Sequence, residues 1–138
     1  MLICTVVALA ALTSCQSTSA TIPPRIELST LFAAPETFNG KEVVVSGLVF
    51  IEEGRYMVLP APAAAARREL MYITLDSRLQ RSADELAQKY LKWRGTYLVA
   101  TLRGRFVMAT EFGFGHQNAA RFKLEVSRVI AVESYKAR

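Results

Sequence analysis

The stretch "EVVVSGLVFIEE" at positions 42–53 constrains this chain more than any other. Its β-branched residues favour extended backbone. Apolar and polar residues do not alternate here, so both faces of the segment are apolar from Val43 to Ile51. Successive side chains of a strand point to opposite faces, so such a strand must be covered on both sides, as in a closed sheet. Gly47 in its middle suits a strand that bends sharply, and Asn39-Gly40 just before it is a turn signal. At 138 residues the chain has room for one domain. Its 51% hydrophobic and 21% charged residues are enough for a real core.

The remaining segments fall into place around that strand. "IELSTLFAAPE" predicts a short helix with Leu28, Leu31 and Phe32 on one side and Pro35 as its stop. Glu52–Arg55 is a tight connection, "RYMVLP" a second strand ended by Pro60, "APAAAARRE" a loop or helical turn, and "LMYITLD" a third strand. Ser82 and Glu85 form a capping box. It predicts a helix with Ala83, Leu86, Ala87, Tyr90 and Leu91 on one face and a Glu85–Lys89 pair on the other. Gly95 restarts the chain into "TYLVATLRGRFVMAT", a long strand or a bent pair, followed by the loop "EFGFGHQNAA". In "RFKLEVSRVIAV", Phe122, Leu124 and Val126 alternate with Lys123, Glu125 and Ser127, as in a final strand. No internal repeat is present. The expected class is mainly β with one or two helices. Three strands, a helix and two strands is the order of an OB-fold, a five-stranded barrel with its helix between strands three and four.

"LSTLFAAPETFNGKEVVVSGLV" resembles the opening of a group of uncharacterised bacterial OB-like proteins. The matching positions are Leu31, Pro35, Phe38, Gly40, Lys41, Val43, Val45 and Gly47, with looser counterparts at Arg94-Gly95-Thr96-Tyr97 and Gly115-His116. The resemblance implies a barrel fold and an envelope setting, and supplies no activity.

Residues 1–24 carry no charge, and Met1 to Leu12 are apolar apart from Thr5. A bilayer span needs about 20 apolar residues, so this run is too short to cross and fits the core of a secretory signal. Leu12-Thr13-Ser14-Cys15 resembles the bacterial lipobox, although no Lys or Arg precedes the apolar run. That resemblance implies a signal peptide over 1–14, acylation of Cys15, a tether over 15–25 and a folded domain over 26–138. Gln16 after the cysteine implies the outer membrane rather than the inner one. Simple secretion with cleavage near Ser19-Ala20 is the rival. Cys4 would leave with the signal, so the mature domain would hold no disulfide and no free thiol.

The net charge of +5 lies entirely beyond Pro24 and suits anionic partners, although ordinary surface charge in an Arg-rich chain is the simpler account. Neither a G-x-S-x-G elbow nor a phosphate loop is present, and His116 is the sole histidine. Glu52 and Glu53 would point to opposite sides of a strand end. These features argue against an enzyme, a metal site or a cofactor. A binding module fits better, since OB-folds bind polymers on the sheet face between the loops after strands one and four. Those loops would be Glu52–Arg55 and roughly Gly104–Ala120. The candidate ligand residues are Arg55, Arg105, Phe112, Phe114, His116, Gln117, Asn118 and Arg121. Aromatics beside amides and guanidinium groups suit a saccharide or another anionic envelope polymer. The two phenylalanines could equally plug the barrel end, His116 could bond only to backbone, and Arg67-Arg68 reads as a solvated loop. A structural subunit docking an envelope protein complex is the alternative. Nucleic acid becomes the expected partner only if the chain is not exported.

Overall fold

The computed structural model describes residues 22–52, 55–61, 64, 69–90 and 98–135. The strands are β1 (Arg25–Glu27), β2 (Glu42–Glu52), β3 (Arg55–Leu59), β4 (Met71–Thr74), β5 (Leu98–Met108) and β6 (Phe122–Ser134). Helices α1 (Leu28–Ala33) and α2 (Pro35–Phe38) precede β2, and α3 (Ser77–Tyr90) lies between β4 and β5. The signal, Cys15 and the tether up to residue 21 lie outside the described residues, as do Arg67-Arg68 and Arg94–Tyr97.

The sheet order is β1-β2-β3-β4-β6-β5, and β5 returns to pair with β2. Five strands therefore close into a barrel, with β1 added in parallel beside the first half of β2. Barrel neighbours are antiparallel except β4 and β6, which run parallel. Helix α3 sits between the third and fourth barrel strands, as the OB-fold order requires.

The two apolar faces of β2 each find a cover. Val43, Val45 and Val49 point into the barrel with Val58, Met71, Leu102, Phe106 and Leu124. Leu48 points outward into a second cluster with Met57, Leu59, Ala64, Leu70 and Ala120. Val44 lies opposite Arg25 of β1, and its amide donates to the Pro24 carbonyl at 3.0 Å.

Leu28 and Leu31 of α1 are fully buried in the inner cluster. Phe32 stacks on Phe122 with ring centroids 5.0 Å apart, which seats α1 at the barrel end where β5 finishes and β6 begins. Pro35 does end α1, but it also opens α2 at a position where its missing N–H costs nothing. The Asn39-Gly40 turn forms as expected, with Gly40 at φ 77° and its amide donating to the Phe106 carbonyl at 2.8 Å.

Helix α3 begins at Ser77, five residues before the expected Ser82 box. The Asp76 carboxylate accepts from the amides of Arg78 (3.0 Å) and Leu79 (2.7 Å), so Asp76 is the cap. Arg78, Leu79, Gln80 and Arg81 all favour helix, and nothing delays its start. Ser82 donates instead to the Arg78 carbonyl inside the helix. The side chains of Ala83, Leu86, Ala87 and Tyr90, the Glu85–Lys89 pair and Leu91 lie outside the described residues. The segment read as a long strand or a bent pair is one strand, β5, whose pairing with β6 shifts register twice. Such bulges let a strand curve around a barrel.

Gly47 marks the closest approach. A Cβ there would lie 2.5 Å from Leu28 Cδ1 and 2.6 Å from Val58 Cγ2. Forcing that contact costs on the order of 1–3 kcal/mol. Gly47→Ala should therefore lower stability by about that amount in urea denaturation, and an unchanged midpoint would contradict this packing.

Candidate functional site

The loop between β5 and β6 carries most of the expected ligand residues. It is pinned at its base by the Ala109 amide donating to the Arg121 carbonyl at 2.9 Å. Further in, Phe114 and Ala120 exchange two backbone hydrogen bonds of 2.7 and 3.1 Å. The turn at His116–Asn118 holds Gln117 and Asn118 at φ 53° and 54°, a left-handed conformation uncommon outside glycine and asparagine. On this frame Phe112 is 71% exposed. Gln117, Asn118 and Arg121 are exposed on the same loop.

Phe114 behaves differently. It is half-buried against the outer cluster, and Lys123 Nζ lies 4.9 Å from its ring centroid, within cation–π range. Its role is to hold the loop against the barrel. Arg105 does not belong to the loop, because β5 continues to Met108. It sits mid-sheet opposite Glu42 of β2 and Glu125 of β6. Gly104 lies within the strand, at one of the two register shifts. Arg55 opens β3 opposite Glu52, while the loop springs from the end of β5, which runs beside Glu42. The two regions thus stand at opposite ends of β2. The side chains of Arg55 and His116 lie outside the described residues. Phe112, Gln117, Asn118 and Arg121 share one exposed loop; Arg55 and Arg105 stand apart from it.

The face on which OB-folds usually bind, across the second and third barrel strands, is covered. Met57 and Leu59 of β3 are buried on that side beneath Ala64 and Leu70 of the β3–β4 connection, and Phe114 and Tyr72 pack against the same cluster.

A second concave feature escaped the sequence reading. At the barrel end where β5 begins and β6 finishes, a cavity of 480 Å³ lies between the strands and the first turns of α3. Tyr56 reaches across its wall, and its hydroxyl donates to Asp84 Oδ1. Gln80 Nε2 donates to the same oxygen at 2.9 Å. The Tyr56–Asp84 pair spans 28 residues of sequence, and no local pattern announces it. Burial, and then the neighbouring Asp84 carboxylate, push the Tyr56 phenol well above its ordinary value of 10.0.

No protein-family model matches this sequence, and no curated protein matches it. Among solved structures, the chain is similar to the crystal structure of a DUF3299 family protein from Pseudomonas aeruginosa PAO1. The two are 14% identical with a TM-score of 0.48, over 85% of this chain and 99% of that one. At that identity and score, the likeness assigns neither family nor activity.

The Tyr56 phenol has a folded pKa above its unfolded value, so its contribution is complete below pH 10 and lost as pH rises through the folded value. Stability should fall as pH climbs above about 10, and Tyr56→Phe should make that alkaline decline shallower. Urea midpoints measured through the alkaline range test this, and equal slopes for both proteins would contradict it.

Proposed function

We propose that this chain is a lipid-anchored binding module of the bacterial cell envelope, whose β5–β6 loop recognises a saccharide or anionic envelope polymer. The observation that carries the reading is the exposure of Phe112 together with Gln117, Asn118 and Arg121 on one hydrogen-bonded loop. An exposed aromatic face stacks on a sugar ring, the amides donate and accept with hydroxyls, and the guanidinium pairs with carboxylate or phosphate. Because the Phe114–Ala120 bridge already orders the loop, less conformational freedom is lost on binding.

Acylation of Cys15 would supply the bilayer partner, with residues 15–25 as the tether and the outer membrane as the site. The domain would then face the periplasm or the exterior. Its role in this reading is recognition, with no catalytic step, metal or cofactor.

Two measurements test the proposal. The intact mass of protein from native membranes should equal residues 15–138 plus acyl chains, and Cys15→Ala should abolish that species. Phe112→Ala should weaken retention on purified cell-wall sacculi roughly three- to tenfold, the worth of one lost aromatic contact. Its thermal midpoint should stay near that of the parent, since the ring is exposed. Full retention by both Phe112→Ala and Arg121→Ala would refute the loop as the binding surface.

A further inference from the structure

Among the described residues, the barrel is incompletely covered at the end opposite the β5–β6 loop. β4 stops at Thr74 after pairing with only Phe122–Glu125 of β6. Beyond Glu125, β6 has β5 on one side and no paired strand on the other among the described residues. The gap opens into the 480 Å³ cavity, whose walls include Val49, Ile73, Leu98, Ala100, Leu102 and Val132. That volume is typical of small-molecule sites, which are mostly apolar with a few polar groups at defined places. Apolar walls of this extent are unfavourable when left against water.

The polar groups around the mouth are of two kinds. The carboxylates are committed internally: Asp76 caps α3, and Asp84 accepts from Tyr56 and Gln80. The cations are not. Arg78 on the first turn of α3 and Arg128 on β6 both line the cavity and are exposed. Neither has a carboxylate partner among the described residues. The lining thus offers two guanidinium groups and the one carboxylate of Asp76, already engaged by the α3 amides, around an apolar interior.

We infer that this cavity binds a single-chain anionic amphiphile. The hydrocarbon chain lies among Val49, Ile73, Leu98 and Leu102, and the carboxylate or phosphate head is held by Arg78 and Arg128. Guanidinium groups suit either head because both present paired oxygens to the donor fork. The site lies at the opposite end of β5 from Phe112 and does not depend on the loop reading.

Native mass spectrometry of the full chain carrying Cys15→Ala tests the inference with three probes of equal chain length. These are hexadecanoate, a hexadecanoyl lysophosphatidylglycerol and uncharged hexadecanol. One-to-one complexes should form with one or both anionic probes at least about tenfold more tightly than with the alcohol, which is roughly the worth of one charge-assisted contact. The stronger of the two anionic complexes tells whether carboxylate or phosphate is the preferred head. The double variant Arg78→Glu/Arg128→Glu changes only exposed side chains and should fold; it should lose that preference while its weak binding of hexadecanol is unchanged. Ala100→Leu should reduce binding of all three by filling the cavity. Equal affinity for charged and uncharged probes, unaltered anion binding by the double variant, or no complex with any probe would overturn the inference.

Discussion

Burying β2 on both of its faces is the requirement on which the rest of this structure depends. One face is satisfied by closure: pairing β2 with β5 rolls the strands into a barrel and encloses Val43, Val45 and Val49. Closure also covers most of the sheet edge that an open five-stranded sheet would carry, leaving β6 beyond Glu125 paired only with β5 among the described residues. The second face cannot be satisfied by the barrel itself. It is covered by chain from elsewhere, with Ala64 and Leu70 from the β3–β4 connection and Ala120 beside β6 completing the outer cluster around Leu48, Met57 and Leu59.

That outer cover decides which surfaces of the barrel stay open to solvent. Covering Met57 and Leu59 takes away the sheet face on which barrels of this order usually bind. The same apolar layer packs against Phe114 in the middle of the loop, while Phe112 faces solvent. The outward side of the β1, β2 and β5 strands beside that layer is polar instead. Arg25 donates to Ser46, which shares a hydrogen bond with Thr101, while Arg103 grips Glu42 through two bonds of 2.9 and 2.7 Å. The Arg103 bonds hold the Glu42 carboxyl below its ordinary value of 4.5. Exposed pairs of this kind contribute little stability. Their effect is to favour the β2–β5 register in which these partners meet.

How much of this was legible depended on the range of the interaction. The two-faced apolar pattern of β2, the Asn39-Gly40 turn and the element order are local properties, and together they led to the barrel. Ser82-x-x-Glu85 and Asp76 are both acceptable caps for α3, and only the fold shows which one is used. A loop over roughly Gly104–Ala120 would include Arg105, but β5 runs on to Met108, because a bulged strand also accepts glycine at Gly104. The cover over Met57 and the Tyr56–Asp84 bond join segments whose sequences carry no sign of each other. The same holds for the cavity, whose lining comes from β2, β3, β4, α3, β5 and β6.

The central claim is that the chain seals the outer face of its own barrel, and methionine oxidation tests it directly. Met57 lies on that face and is 7% exposed, Met71 is fully buried inside the barrel, and Met108 is half-buried at the end of β5. Under dilute peroxide, followed residue by residue in the native protein, oxidation rate follows access to the sulfur. A sealed face predicts that Met57 reacts as slowly as Met71, with Met108 ahead of both. If Met57 instead oxidises as fast as Met108, the outer face is open and the usual binding surface is available after all.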